Sequence, residues 1–365
     1  MASGSLGTIV KPQDVFKTIT AVVVAFPVDD SERKLDELES LCNTAGISIK
    51  GRIAFNVNHI NPSIYIGPGQ AQAIRDIALE KDANLIVFNS AVNPRNQKNL
   101  ENLIKLCVVD RQEIILQIFA NRASTREARL QVELAQLQYS LPRLTRKWAN
   151  LSQQRGGVKG SKGSGEKQLE LDKRTAQSRI TRLKKEIKLI DRQRSIQRKN
   201  RLNGNNFNVA IVGYTNSGKS TLLNRISDAD VLSEDKLFAT LDPTTRRVYM
   251  PSGRTFLFTD TVGFVSDLPH ELVDAFRSTL EEAQNADLLL IVLDASRQDI
   301  VQCWNTTVEV LKSLDAFDNR KRIVAFNKTD IAQEERLYLP NEHVVNISAL
   351  NGDMKELLSI IDSNL

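Results

Sequence analysis

The sequence has few cysteines and no long hydrophobic run. Its three cysteines, Cys42, Cys107 and Cys303, are odd in number and lie far apart. They therefore predict neither a disulfide framework nor a zinc site, and they are typical of a protein in a reducing cytoplasm. The longest apolar runs, Ala21 to Val28 and Leu288 to Leu293, have the length of core strands. A transmembrane helix needs about 20 apolar residues, so the sequence predicts no membrane span.

The first ten residues and the composition argue against a secreted, a disordered or a collagen-like protein. Residues 1–10 are small and polar and lack the basic-then-apolar pattern of a secretory signal. Hydrophobic residues make up 41% and charged residues 25% of the 365 residues. This ordinary globular composition excludes a wholly disordered or collagen-like chain. The length predicts two or three domains, and we expect a cytoplasmic monomer.

Positive charge is concentrated in one segment. Residues 121–201 contain 22 Lys and Arg against 7 Asp and Glu, a net charge of +15. The other 284 residues contain 27 basic and 37 acidic residues, a net charge of −10. Such a segment is typical of a protein that binds a polyanion such as RNA. The alternative is a helical surface whose charges contact only solvent.

The first segment, residues 1–120, predicts a small α/β domain with parallel strands because short apolar runs alternate with helical patterns. The predicted strands are Ala21–Phe26, Leu85–Asn89 and Ile115–Phe119, and the predicted helices are Ser31–Ala45 and Ala71–Glu80.

The second segment, residues 121–201, predicts a basic antiparallel helical hairpin. Two sets of apolar residues follow the spacing of a helix–helix seam: Leu130, Leu134, Leu137, Leu141, Leu144 and Trp148, then Leu169, Ala176, Ile180, Leu183, Ile187 and Ile190. We expect Pro142 to kink the first helix. The tip loop, residues 155–165, is rich in glycine and lysine, which favours RNA contact over a simple flexible linker. The candidate RNA-binding residues are Arg155, Lys159, Lys162 and Lys167.

Residues 202–206 predict a polar hinge, and residues 207–365 have the length of one further domain. The strand Phe207–Val212, the loop Gly213–Ser220 and the helix Thr221–Ile226 match the G-x-x-x-x-G-K-S phosphate-binding loop in its required context. Lys219 would neutralise the β- and γ-phosphates, and Ser220 would ligate Mg²⁺. This domain is therefore predicted to be a P-loop domain with a mostly parallel sheet.

Three later motifs each follow a predicted strand, and their order indicates a GTPase. After Thr255–Thr259, Asp260 would hold the metal through water, and the Gly263 amide would sense the γ-phosphate. After Ile323–Phe326, the motif Asn327-Lys328-Thr329-Asp330 would select guanine through the Asp330 carboxylate. After Val344–Ile347, the backbone of Ser348-Ala349-Leu350 would meet the guanine oxygen. A threonine must also complete the Mg²⁺ site, and Thr240, Thr244 and Thr245 are the candidates.

With these motifs, the sequence resembles the HflX family of translational GTPases over nearly its whole length. The segments that carry the resemblance are Tyr65–Gly69, Ala123–Leu137, Gly163–Glu170, Phe238–Pro243 and Asp260–Phe264. The resemblance implies a cytoplasmic GTPase that binds the large ribosomal subunit and splits stalled or idle ribosomes. It also favours Thr240 as the metal-binding threonine.

The predicted site is then complete. The residues expected to bind GTP are Gly213, Tyr214, Thr215, Asn216, Ser217, Gly218, Lys219, Ser220, Thr221, Asp260, Gly263, Asn327, Lys328, Asp330, Ser348, Ala349 and Leu350. The residues expected to take part in catalysis are Lys219, Thr240 and Gly263. The expected metal ligands are Ser220, Thr240 and Asp260.

Phe264 occupies the position at which Ras-like enzymes place the glutamine that orients water. Phenylalanine cannot do this, so we expect slow intrinsic hydrolysis. One hypothesis is that the ribosome supplies the missing stabilisation, and another is that Asn216 helps to hold a K⁺ ion. The competing functions are a ribosome-assembly GTPase and an RNA-binding switch, neither of which splits ribosomes.

Overall fold

The computed structural model describes residues 19–26, 31–56, 60–143, 162–202, 207–227, 237–238, 240–266, 282–318, 320–332 and 337–364. These residues belong to two compact units. The first unit is drawn from residues 1–121 and 135–181, and the second from residues 122–134 and 182–365.

A four-stranded parallel sheet forms the centre of the first unit. Its strands are β1 (Thr20–Ala25), β2 (Ser48–Ala54), β3 (Leu85–Phe88) and β4 (Cys107–Asp110), in the order β2-β1-β3-β4. Almost every residue of β1 and β3 is buried, as expected for parallel strands covered on both faces. The predicted α/β fold of this segment is confirmed.

In the part of this segment that the structure describes, four helices connect and follow these strands: α1 (Ser31–Thr44), α2 (Pro68–Glu80), α3 (Pro94–Ile104) and α4 (Arg111–Arg122). Helix α1 buries the predicted face of Leu35, Leu38 and Leu41. The side chain of Asn93 caps α3 by accepting a hydrogen bond from the Asn96 amide, and a proline occupies the first turn.

The predicted strand Ile115–Phe119 is wrong, because these residues lie inside α4. A short apolar run does not by itself distinguish a strand from a buried helix segment. The helix begins where the Asp110 carboxylate accepts a hydrogen bond from the Glu113 amide at 3.1 Å. The strand that precedes α4, β4, and the strand β2 were not predicted.

Asp110 is fully buried at the end of β4 and is the centre of a polar network in the first unit. It accepts hydrogen bonds from the Val92 amide at 3.1 Å, the Tyr139 hydroxyl at 2.8 Å and Arg143 Nη2 at 3.3 Å. The Arg143 guanidinium also lies 3.6 Å from the centre of the Tyr139 ring. Burial, together with the nearby Asp110 carboxylate, raises the pKa of Tyr139.

The basic segment contains α5 (Arg126–Ser140), a 3₁₀ turn (Leu141–Arg143) and α6 (Lys162–Leu202). Pro142 ends the first helix rather than kinking it, since α5 stops at Ser140. In α6, the predicted seam residues Ile180 and Leu183 are buried. Within the part of the chain that the structure describes, no helix is both long and apolar enough to cross a membrane.

Several predictions about the basic segment concern residues outside the described ones. Residues 144–161 contain most of the tip loop, including Arg155 and Lys159, and residues 203–206 contain most of the hinge. The side chains of Lys162 and Lys167 also lie outside the described part. The antiparallel hairpin and its RNA contacts therefore stay predictions.

The second unit contains a six-stranded sheet. Its strands are β5 (Phe207–Val212), β6 (Thr244–Tyr249), β7 (Thr255–Asp260), β8 (Leu288–Asp294), β9 (Lys321–Asn327) and β10 (His343–Asn346). Their order is β10-β9-β8-β5-β7-β6, and every pair is parallel except β6 with β7. This is the mostly parallel sheet that the motifs predict.

Among the described residues, three helices of eight or more residues accompany this sheet: α7 (Lys219–Ile226), α8 (Ile300–Ser313) and α9 (Lys355–Ser363). Leu222 of α7 and Leu357 of α9 are fully buried in one core cluster with strand residues such as Val209 and Leu290. Because β5, β7, β8 and β9 are parallel, their carboxyl ends meet at one edge of the sheet. The loops that follow them bring the predicted motifs together.

We expect Arg143→Ala to destabilise the first unit, because it leaves the buried Asp110 carboxylate without its charged partner. Breaking a buried pair costs about 3–5 kcal/mol. Native-state hydrogen exchange should show a loss of this order in the opening free energy of the β3 and β4 amides. Arg95→Ala is the control, since Arg95 is exposed on α3. A loss for Arg143→Ala no greater than that of the control would contradict the prediction.

Candidate functional site

The motif Gly213–Ser220 consists of the loop between β5 and α7 and the first two residues of α7. The loop passes very close to the neighbouring strands. A Cβ atom on Gly213 would lie 2.2 Å from the Val292 carbonyl oxygen, and one on Gly218 would lie 2.2 Å from Asn327 Nδ2. Both glycines also have a positive φ, as does Asn216 between them. Only glycine has no Cβ atom and also adopts a positive φ without strain. This explains why the motif has glycine at positions 213 and 218.

The loop concentrates polar groups that an anionic ligand could pair. Among the described residues, the buried hydroxyls of Thr215 and Ser217 have no hydrogen-bond partner. The Lys219 ammonium is also buried, and its hydrogen bonds to described residues go to two backbone carbonyls, those of Gly213 at 3.1 Å and Tyr214 at 2.8 Å. Burial lowers the pKa of Lys219 to about 8. The amides of the first turn of α7, which includes Thr221, add further donors.

Ser220, Thr240 and Asp260 lie together beside this loop. The Ser220 hydroxyl donates to Asp260 Oδ2 at 2.6 Å, and the Thr240 hydroxyl donates to the same oxygen at 2.8 Å. The two hydroxyl oxygens are 2.7 Å apart. Burial raises the pKa of Asp260, although Lys219 and the two hydroxyls lower it.

This group of residues fits a magnesium ion. Asp260 Oδ1 is buried and has no hydrogen-bond partner among the described residues. A carboxylate and hydroxyls are the hard oxygen donors that Mg²⁺ accepts. Of the other two threonine candidates, Thr245 pairs with Thr259 at 2.9 Å within the β6–β7 ladder, and Thr244 is an exposed residue of β6.

The segment after Asp260 is held against the phosphate-binding loop. The Thr215 amide donates to the Phe264 carbonyl at 2.7 Å, and the Phe264 amide donates to the Gly213 carbonyl at 3.0 Å. A Cβ on Gly263 would lie 2.8 Å from Thr215 Cα. The Phe264 side chain is fully buried, so it has a packing role and makes no polar contact with the site.

Sequence reasoning missed a contact that fixes this arrangement. The Tyr214 hydroxyl lies 2.8 Å from the Ser266 hydroxyl and accepts a hydrogen bond from the Ser266 amide at 2.9 Å. The Arg297 guanidinium lies 5.3 Å from the centre of the Tyr214 ring and pairs with Asp299 at 2.7 Å. Ser266 and Arg297 belong to no motif, so no sequence signal identifies them.

Asn327 connects the remaining loops of the site. Its Nδ2 donates to the Ser217 carbonyl at 2.8 Å, and its Oδ1 accepts from the Ala349 amide at 2.8 Å. The next residue, Lys328, pairs with Asp294 at 2.7 Å, a partner that the motif did not predict. The structure therefore brings the phosphate-binding loop, the 327–330 motif and the 348–350 loop to one edge of the sheet.

Asp330 is exposed at this edge, where a ligand could reach its carboxylate. Its carboxylate accepts a hydrogen bond from Asn351 at 3.3 Å, and the Ser348 hydroxyl holds its pKa below the ordinary value. Leu350, in the adjacent loop, is also exposed. A carboxylate can accept from both the ring N–H and the exocyclic amine of guanine, whereas adenine offers no such pair of donors.

Comparisons with known proteins agree with this geometry. Residues 32–120 match a family described as GTP-binding GTPase N-terminal, and residues 122–201 match one described as GTP-binding GTPase Middle Region. Residues 208–328 match one described as 50S ribosome-binding GTPase. The GTPase HflX of Treponema denticola is 53% identical over 327 residues, which are 87% of this chain and 83% of that protein. The chain belongs to the HflX family of GTPases.

Other relatives show the same likeness. The GTPase HflX of Akkermansia muciniphila is 46% identical over 335 residues, which are 89% of this chain and 76% of that protein. Among solved structures, the complex of SsGBP with GDP is 25% identical, with a TM-score of 0.52, and the match covers 95% of this chain and 98% of that one. Membership of the HflX family identifies the P-loop unit as a GTPase.

We expect Asp330→Asn to exchange guanine preference for xanthine preference. The asparagine amide repels the exocyclic amine of guanine but donates to the oxygen that xanthine has there. Because a site built for one hydrogen-bond pattern rejects the other strongly, GTP affinity should fall by about 100-fold or more, and XTP should restore it. Equilibrium titration with both nucleotides measures this. Equal weakening for GTP and XTP would contradict the role of Asp330.

Proposed function

We propose that this HflX-family GTPase binds the large ribosomal subunit and dissociates stalled or idle ribosomes under the control of its bound nucleotide. It would act in the cytoplasm as a monomer. The observation that carries the catalytic part of the proposal is the meeting of Ser220, Thr240 and Asp260 beside the buried Lys219.

Each residue of this group has a proposed role. Lys219 would neutralise the negative charge of the β- and γ-phosphates with the third N–H donor of its ammonium group, which its contacts with the carbonyls of Gly213 and Tyr214 leave available. Ser220 and Thr240 would hold Mg²⁺ directly, and Asp260 would hold it through water. When bound, the metal would neutralise charge that develops on the transferred phosphoryl group.

The nucleotide would also contact the neighbouring loops. The amides of the phosphate-binding loop, from Gly213 to Thr221, would surround the phosphates. Asn327 would keep the pocket together, the Lys328 stem would cover the base and Asp330 would read its edge. The backbone of Ser348, Ala349 and Leu350 would meet the guanine oxygen.

The basic segment is the proposed contact with the ribosome. Its net charge of +15 suits ribosomal RNA, since phosphate contacts supply most of the affinity of such proteins. Within it, Arg155, Lys159, Lys162 and Lys167 are the proposed RNA-binding residues. The description of the matched family, 50S ribosome-binding GTPase, supports the large subunit as the partner.

Splitting would follow from differential affinity. The Gly263 amide would bind the γ-phosphate in the GTP state and release it after hydrolysis, which changes the segment that follows. If the GTP state binds the free large subunit more tightly than the joined subunits, binding alone shifts the equilibrium toward separation.

The catalytic help that glutamine gives in Ras-like enzymes must come from elsewhere, because Phe264 is fully buried in its place. We propose that intrinsic hydrolysis is slow and that the docked ribosome supplies the missing stabilisation. A second proposal is that Asn216, exposed in the phosphate-binding loop, helps to hold a K⁺ ion beside the phosphates.

We expect purified large subunits to raise GTP turnover by about 100-fold or more, the size of a missing transition-state contact. Turnover would be measured in K⁺ buffer with and without the subunits. Whole ribosomes mixed with the protein and a non-hydrolysable GTP analogue should also separate into subunits in a sucrose gradient. Binding to subunits without stimulation or separation would instead favour an RNA-binding or assembly switch.

We expect Asn216→Ala to abolish any preference for K⁺ over Na⁺ in GTP turnover, because the variant lacks the amide oxygen that would ligate the ion. Turnover of both proteins would be compared in the two salts at equal ionic strength. Thr221→Ser is the control, since it is a conservative change in the first turn of α7 that keeps the hydroxyl. An unchanged K⁺ preference in Asn216→Ala would exclude the second proposal.

A further inference from the structure

Asp242 accepts four hydrogen bonds from two consecutive residues that are distant in sequence. Its Oδ2 accepts from the Ser124 amide at 3.1 Å, the Ser124 hydroxyl at 2.6 Å and the Thr125 amide at 3.2 Å. Its Oδ1 accepts from the Thr125 hydroxyl at 2.5 Å. We call these four bonds the Asp242 contact. None of its three residues is among the predicted site residues.

The Asp242 contact lies at the beginning of α5, the first helix of the basic segment. The Thr125 hydroxyl accepts a hydrogen bond from the Ala128 amide at 3.1 Å, and the Thr125 carbonyl accepts from the Arg129 amide at 3.1 Å. Thr125 is therefore the N-cap of α5. A carboxylate at this end of a helix is also favoured by the helix dipole.

On its other side, Asp242 is two residues from Thr240, whose hydroxyl donates to Asp260. Leu241, between them, is only 2% exposed. Consecutive Cα atoms are about 3.8 Å apart, so two residues leave little slack in the chain. A displacement of Thr240 would therefore also displace Asp242, because only the buried Leu241 lies between them. The Asp242 carboxylate would pass this displacement to Ser124 and Thr125 at the start of α5.

We propose that Asp242 is a positioning residue that couples nucleotide state to the first helix of the basic segment. This inference rests on the proposed function, in which Thr240 holds Mg²⁺ in the GTP state. In that state Thr240 is fixed, the Asp242 contact is kept and the first turn of α5 is stabilised. After hydrolysis Thr240 would no longer contact the metal. The Asp242 contact would then open more often, and the start of α5 would become less stable.

Hydrogen exchange of the full chain tests this coupling. Exchange of amides in residues 124–134 would be followed by mass spectrometry with saturating GDP or a non-hydrolysable GTP analogue, each with Mg²⁺. In the unmodified protein we expect about tenfold slower exchange with the analogue, the effect of about one charge-assisted hydrogen bond. In Asp242→Ala we expect the same, faster rate with both nucleotides.

Two further variants separate coupling from general damage. Ser124→Ala removes one donor of the Asp242 contact but leaves the Thr125 cap. It should therefore reduce the difference in exchange between the two nucleotides. Combined with Asp242→Ala, it should cause no further change, because the contact is already lost. Asp362→Ala is the matched control. Asp362 also accepts from the amide and hydroxyl of one serine, Ser252, at 2.8 Å each, but far from this contact in the chain. It should leave the nucleotide effect intact.

A nucleotide effect that persists in Asp242→Ala would overturn the inference, and so would its absence from the unmodified protein. Sedimentation with large ribosomal subunits in the two nucleotide states tests the proposed function separately. Nucleotide-dependent sedimentation without an exchange difference in residues 124–134 would exclude only the coupling through Asp242. An exchange difference without sedimentation would exclude the proposed partner and leave the coupling in place.

Discussion

The site depends on the parallel pairing of β5 with both β7 and β8. Side chains at the carboxyl ends of parallel strands meet at one edge of a sheet. This pairing places the phosphate-binding loop between the end of β7, where Asp260 lies, and the end of β8, where Asp294 lies. With a different strand order, the same motifs would be present but too far apart to contact one ligand.

Close packing at this edge brings the loops of the site into direct contact. The glycines at 213 and 218 allow the loop to touch β8 and Asn327, and Asn327 connects that loop to Ala349. At this edge, the buried side-chain atoms of Thr215, Ser217 and Asp260 that have no hydrogen-bond partner among the described residues are ones that a nucleotide and Mg²⁺ would pair. Leaving buried polar atoms unpaired costs stability, so such atoms are retained where binding compensates for them.

Local sequence patterns predict the elements of the second unit better than those of the first. In the second unit, each nucleotide-binding motif directly follows a strand. The motifs therefore predict the ends of these strands to within one or two residues. In the first unit, the apolar run Ile115–Phe119 predicts a strand, but four apolar residues and one glutamine fit a buried helix segment equally well. The capping hydrogen bond from the Glu113 amide to Asp110, a local but weak signal, begins the helix there. The apolar spacing continues past Pro142 and predicts one kinked helix, yet α5 ends before this proline.

The sequence by itself determined the GTPase motifs, their order and the concentration of positive charge, because each depends on residues close together in the chain. Only the tertiary structure decided which threonine lies beside Asp260, that Phe264 is buried, and that Asp242 contacts Ser124. The last two residues are 118 positions apart. Contacts at such separations depend on how strands and loops pack in three dimensions, and they leave no periodic or local pattern for sequence reasoning to detect.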